Sequence, residues 1–271
     1  MKGVFNMEER FIEFMKNNGL SKNTYESYAS DIKFFKQYYY DSYGEELQEL
    51  IRGDVIQYLA ILKRSSAPTT INRKISALKQ YNLFLIDEKI QEGIVILDKD
   101  YIKVQKAPVK KQLPTVQEIN KLKHFTCKDE KNAKRDYCFV VILIYGGVRA
   151  SEIVTIRLID IRLEDRIINI IGKGNKFRQI IINNIMYDAI VDYLKEREEN
   201  NIHSPYLFVG QKTNSTGGKP LSRNFANRLL AKYNELCKIA KLYPHLIRSL
   251  FCVNALNAGY TIDQVANQAR S

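Results

Sequence analysis

Apolar residues recur at helical spacing through the first hundred positions. Residues 7–18 form a short amphipathic stretch that ends at Gly19, which suits the left-handed position after a helix. Ser21 sits where a helix cap is wanted, and Tyr25, Tyr28, Ile32, Phe35 and Tyr39 then keep one face apolar. The pattern predicts a third helix after Gly53-Asp54, with Val55, Tyr58, Leu59 and Leu62 aligned, broken by Ser65-Ser66-Ala67-Pro68. Thr69 opens a fourth, whose core stripe is Ile71, Ile75, Leu78, Tyr81 and Leu85. Asn72, Arg73 and Lys79 lie opposite that stripe and Lys74 at its edge, which spacing alone makes a solvated face. Four such helices make a small bundle.

The pattern changes at residues 106–114, where two prolines and three lysines fall within nine positions. A domain over residues 1–107, a linker at 108–114 and a second domain over 115–271 follow from that break. Thr115-x-x-Glu118 is a capping box that starts a helix. An apolar helix over 137–145 is stopped by Gly146-Gly147. The β-branched runs 166–171 and 177–183 form an antiparallel hairpin through the five-residue loop Gly172-Lys173-Gly174-Asn175-Lys176. Helices are expected at 185–199, 222–240 and 245–258, with a short strand at 206–209. The fold class is mostly α with a small antiparallel β-sheet.

Charge narrows the function. Residues 1–107 carry 16 basic and 15 acidic side chains and the remainder 26 and 15, so nearly all of the formal +12 lies in the second domain. A surplus of that size attracts a polyanion, nucleic acid before others. No basic amphipathic anchor helix stands out, which ranks a membrane last. Four cysteines are too few for a disulfide scaffold, and Met7-Glu8-Glu9-Arg10 is unlike a secretory leader, so a cytoplasmic protein is expected.

Several chemistries are excluded. The pairs Gly172-Lys173 and Gly218-Lys219 lack the upstream glycine of a phosphate loop, since Ile167 and Thr213 stand there, and lack the following Ser or Thr. Gly172-x-Gly174 has no third glycine and leads into a strand, so it is no dinucleotide fingerprint. His124-x-x-Cys127 with Cys138 makes an unconvincing metal set, and no hydrolase nucleophile elbow is present. No metal and no cofactor is expected. What remains is cationic: Arg149 after the Gly146-Gly147 turn, Lys173 at the hairpin tip, and His245 with Arg248 one turn apart at a helix start. Two guanidinium forks, an ammonium and an imidazole suit one phosphodiester, although spacing does not show that they converge.

Arg135-Asp136 followed by Tyr145-Gly146-Gly147-Val148-Arg149-Ala150-Ser151-Glu152-Ile153 resembles the first signature box of the tyrosine recombinases, or phage-integrase family. Residues 170–178, Ile-Ile-Gly-Lys-Gly-Asn-Lys-Phe-Arg, resemble that family's hairpin with its catalytic lysine, and His245-Leu246-Ile247-Arg248 its His-x-x-Arg box. Residues 21–25 and 69–78 resemble the helical, SAM-like core-binding domain of Xer-like members. The resemblance covers almost the whole chain. It implies an N-terminal core-binding domain and an α+β catalytic domain that clamp a double-stranded recombination site, with copies assembling on DNA as a synaptic tetramer. The protein would then sit at the nucleoid when bound.

The resemblance also implies the chemistry. A tyrosine hydroxyl attacks the scissile phosphate to leave a 3′-phosphotyrosine, which conserves the bond energy so that neither ATP nor metal is required. Arg149 and Arg248 would hold the phosphate oxygens, Lys173 would protonate the leaving 5′ oxygen, and His245 would assist proton handling. Glu152 would support the arginine box structurally. Thr69, Asn72, Arg73 and Lys74 of the fourth helix, with Lys176 and Arg178 of the hairpin, would face DNA. One departure is large. After Arg248 the family has a Gly-His or Gly-Trp pair and then the nucleophile, whereas this sequence reads Val265-Ala266-Asn267-Gln268-Ala269-Arg270-Ser271. The expectation is a recombinase truncated before its nucleophilic tyrosine, able to bind DNA but not to cleave it. A DNA-binding repressor or competitor derived from a recombinase is the alternative.

Overall fold

A computed structural model describes residues 6–104, 112–128, 132–172, 177–210, 220–222, 224–239 and 242–269. Two compact units divide the chain, residues 1–109 and 110–271. Much of the expected linker, with Lys173 and Lys176 of the hairpin loop, lies outside the described residues.

The first unit is built from α1 (Met7–Asn17), α2 (Lys22–Tyr43), α3 (Arg52–Ser65) and α4 (Pro68–Asp87). Asn6 caps α1 by accepting from the Glu9 amide at 2.9 Å, and Gly19 takes the left-handed conformation just beyond its end. Ser21 occupies the N-cap position of α2, but its hydroxyl meets the Thr24 hydroxyl at 2.8 Å rather than a backbone amide. The fourth helix starts one residue before Thr69, because a proline in the first turn forfeits no helical hydrogen bond. Phe11, Phe35, Val55, Ile75, Leu78 and Phe84 meet in the core.

The chain after α4 has little regular structure, and buried side chains take over its backbone pairing. Asn82 is 1% exposed; its Oδ1 accepts from the amides of Val95 at 2.6 Å and Ile96 at 3.3 Å. Its Nδ2 donates to the Gly93 carbonyl at 3.1 Å. Gln91 brackets Leu50 in the same way, accepting from its amide at 3.3 Å and donating to its carbonyl at 2.8 Å. Arg52 forks onto both carboxylate oxygens of Asp100, at 2.5 and 2.6 Å.

The second unit is organised around α6 (Ala133–Gly146), in which every residue from Cys138 to Ile144 is buried. A helix apolar on all sides must be covered on all sides. The cover comes from α5 (Val116–Thr126), α8 (Asn184–Glu199) and α10 (Pro244–Asn257), with α9 (Phe225–Cys237) against α5 and α10. The Thr115–Glu118 capping box forms as expected. A short α7 (Ala150–Ile153) follows α6, and α11 (Ile262–Ala269) follows α10. Three strands, β1 (Ile161–Arg162), β2 (Ile167–Ile171) and β3 (Phe177–Ile181), make an antiparallel sheet in that order. Ile168 pairs with Ile180 and Ile170 with Arg178, and all four are buried on one face.

The expected strand at 206–209 is a correction. Tyr206 makes a single isolated bridge to Arg157, and no ladder extends from it. Its neighbours are served individually: the Leu207 amide by the Ile156 carbonyl at 2.8 Å, and the Leu207 and Ser204 carbonyls by the Arg197 guanidinium at 2.7 and 2.9 Å. With those groups already satisfied, the aromatic and apolar run bends at Leu207 and Phe208 and does not become a strand.

Asn82→Ala should destabilise the protein by about 1–3 kcal/mol, because it removes the partner of the half-buried Val95 amide, the buried Ile96 amide and the Gly93 carbonyl. Urea unfolding of the full chain, followed by circular dichroism, measures it. A change below about 0.5 kcal/mol would show that the segment after α4 does not depend on this side chain.

Candidate functional site

The site forms where α6 ends. Gly147 terminates that helix with φ +57°, and a Cβ built there would lie 2.4 Å from Cδ1 of Phe251 on α10. Glycine is thus required twice, by the left-handed backbone and by the close approach of the ring. The turn is tight enough for Arg149, two residues on, to become the N-cap of α7.

Glu152, in the first turn of α7, folds back onto that cap. Its Oε2 accepts from the Arg149 amide at 2.8 Å and its Oε1 from the Arg149 guanidinium at 2.7 Å. The carboxylate is nearly inaccessible, at 4% side-chain exposure. A second guanidinium arrives from the sheet: Arg178 Nη2 donates to Glu152 Oε2 at 2.6 Å. Arg178 Nη1 donates to the Gln268 carbonyl near the end of α11. A third comes from α10, where Arg248 Nη1 lies 3.9 Å from the same Oε2 and donates to the Gly147 carbonyl at 2.5 Å. One buried acid therefore gathers arginines from three elements.

Electrostatics follow from this packing. Burial pushes the Glu152 carboxyl up, but the Arg149 amide and the Arg178 and Arg149 guanidiniums outweigh it and leave its pKa below the ordinary value. Burial lowers the pKa of Arg248, and repulsion from Arg149 adds to that, against the attraction of Glu152. A second buried acid, Asp136 on α6, accepts from Arg135 at 2.8 Å and from the Tyr233 hydroxyl at 3.0 Å. There burial wins, and the carboxyl sits above its ordinary value despite Arg135.

Arg149, Glu152 and Arg248 are thus brought together, a convergence that spacing alone does not show. His245 lies in the first turn of α10, exposed, one turn before the buried Arg248. Lys173 and Lys176 fall outside the described residues. Arg178 is not on a DNA-facing surface: it is 8% exposed and spent on Glu152 and Gln268. In the first unit Thr69 is exposed, but the other three expected DNA contacts have partners within the unit. Asn72 brackets the Ile102 backbone at 2.8 Å in both directions. Arg73 binds Ser27 at 2.8 Å and pairs with Asp31, and Lys74 reaches Asp31 at 3.2 Å. Among the described residues no metal-binding cluster and no helix long and apolar enough to cross a membrane is found.

Comparison with known proteins agrees with this layout. Residues 114–269 match the model of the phage integrase family, and residues 9–89 match "Phage integrase, N-terminal SAM-like domain". The chain is 34% identical over 267 residues to the TnP I resolvase of Bacillus thuringiensis, covering 96% of this chain and 89% of that protein. It is 29% identical over 272 residues to the tyrosine recombinase XerD of Halalkalibacterium halodurans, covering 96% and 87%. Among solved structures it resembles the Tn1549 transposon integrase in complex with a circular intermediate DNA. There the TM-score is 0.68 at 20% identity, with 97% and 90% coverage. It also resembles a lambda integrase dimer bound to a core site, with a TM-score of 0.71 at 13% identity and 97% and 93% coverage. At those identities the structural likeness speaks for the fold.

Gly147→Ala should cost about 2–4 kcal/mol, the sum of a left-handed alanine and an overpacked contact with Phe251. Thermal or urea unfolding measures it, and a neutral result would mean that the α6–α10 approach relaxes freely. Because the folded pKa of Glu152 is depressed, its contribution is present above the unfolded value of about 4.3 and is lost as pH falls through the folded pKa. The stability gap between the native protein and Glu152→Gln should therefore narrow as pH is lowered below about 4. A gap independent of pH in urea titrations would show that the carboxyl is not held ionised.

Proposed function

Since the chain belongs to the phage integrase family of tyrosine recombinases, we propose that its arginine cluster binds the scissile phosphate of a DNA recombination site. The observation that carries the reading is the gathering of Arg149 and Arg248, from two distant sequence boxes, onto the buried Glu152. Two guanidiniums held this way present donors to non-bridging oxygens, where negative charge grows in the transition state. The attacking tyrosine oxygen forms the new bond to phosphorus while the bond to the 5′ oxygen breaks. Lys173 gives that leaving oxygen its proton, and His245 assists proton handling at the phosphate. The 5′ hydroxyl of a second strand then reverses the step.

The basic second unit tracks the phosphate backbone, and the Thr69 end of α4 approaches a major groove. For Arg73 and Lys74 to reach DNA, each must exchange Asp31 for a phosphate. Lys176, a hairpin-loop residue by sequence, supplies a further cation for the DNA backbone. Copies associate on the recombination site. Relatives named as a TnP I resolvase and as a tyrosine recombinase support strand transfer of this kind.

The finer reading is that these 271 residues bind without cutting. Tyr260, the last tyrosine of the sequence, stands in the turn between α10 and α11 and is 57% exposed. Its position, only twelve residues after Arg248, differs from that of the family nucleophile. Gel shifts should show duplex binding whose log K falls with log salt by about 0.9 per phosphate neutralised. Arg149→Ala and Arg248→Ala should each weaken it at least about tenfold. A nicked suicide duplex should yield no protein–DNA adduct on a denaturing gel. An adduct that maps to Tyr260 would overturn the non-cutting reading, and salt-independent binding would overturn the phosphate site.

A further inference from the structure

Arg178 is the one member of the cluster to which the phosphate reading gives no task. It lies on the inner face of the sheet beside Ile170, Ile168 and Ile180, where an apolar side chain is the ordinary occupant. Its Nε is buried with no hydrogen-bond partner among the described residues. A guanidinium kept in such a place at an unmet hydrogen bond calls for an explanation.

The distances around Glu152 supply one. Arg178 and Arg248 address the same oxygen, Oε2, and Arg178 holds it at 2.6 Å while Arg248 stays at 3.9 Å. Arg149 occupies the other oxygen, Oε1, at 2.7 Å. Remove Arg178, and Oε2 loses its closest side-chain cation, with Arg248 the next in line. A guanidinium drawn onto a carboxylate at contact distance is less able to serve an incoming phosphate. The charge count agrees. Three arginines against one acid leave +2 for an anion, whereas two arginines against one acid leave +1.

We propose that Arg178 is a positioning residue that satisfies Glu152 and thereby keeps Arg248 available to the DNA phosphate, without touching DNA itself. The inference rests on the phosphate-binding reading of Arg149 and Arg248 given above. The second bond of Arg178, to the Gln268 carbonyl, serves the same arrangement. Through that bond the guanidinium also ties α11 to β3.

The test measures binding of a random-sequence 30-base-pair duplex by fluorescence anisotropy across a salt series, because phosphate contacts do not depend on sequence. Arg248→Ala sets the reference and should reduce the slope of log K against log salt by about 0.9. Arg178→Met should reduce it equally, although the side chain is buried. Arg178→Met combined with Glu152→Gln should recover part of the slope lost in Arg178→Met alone, since the local charge returns to +2 and no carboxylate is left to capture Arg248. Arg178→Lys should keep the slope, because one ammonium still satisfies Oε2.

A native slope in Arg178→Met overturns the inference. So does a lost slope that the double variant leaves no higher than in Arg178→Met alone. Circular dichroism monitors folding. If Arg178→Met does not fold, Arg178→Lys decides, and a reduced slope in it overturns the inference. If Arg248→Ala itself leaves the slope unchanged, it is the phosphate-site reading that falls.

Discussion

A single buried carboxylate organises the chemistry of the second unit. Glu152 takes an amide and a guanidinium from the start of α7, a guanidinium from β3, and stands near a third from α10. Each partnership depends on the others. Three guanidiniums packed without an acid would repel one another, and an acid buried without them would not stay ionised. The elements that carry them are held by apolar packing against α6, but that packing does not care which way a charged side chain turns. The carboxylate settles it.

The first unit uses polar side chains for a different purpose. Asn82 and Gln91 stand in for the missing neighbour of an irregular segment, supplying the donors and acceptors that a strand would have supplied. Arg52 and Asp100 fasten that segment to α3. Asp31, buried at 5% exposure on α2, restrains Arg73 and Lys74 on α4. Three arginines of the second unit thus converge on one buried acid, while Arg52, Arg73 and Lys74 of the first are held by acids within their own unit.

Much of this was legible in the sequence. The four helices of the first unit and the hairpin of the second were carried by strong periodicity, and the arginine boxes by their motifs. Short elements escaped. The four residues of α7 and the two of β1 are too few to show a period, and α11 exists because it packs on α10 and β3. Asn82 was invisible as a core residue because its value lies in pairing with a distant backbone. Arg178 could have been placed. It shares the parity of Ile180 and Ile182 along the strand, both buried, so alternation puts it inside, yet its charge made the surface the natural guess. Asn72 and Arg73 were read from one helix, whereas their partners Ile102 and Asp31 lie outside it.

The junction of α6 with α10 carries a consequence for how such a site tolerates change. Phe251 occupies the space where a Cβ of Gly147 would sit, and Arg248 is bonded to the Gly147 carbonyl. The separation of the two helices at this junction is gauged by main-chain atoms and one ring, not by the apolar residues that fill the rest of α6. Those residues can drift in identity, provided their combined volume is kept, without carrying the two arginines apart. The core can diversify while the spacing of the charges above it stays where the backbone set it.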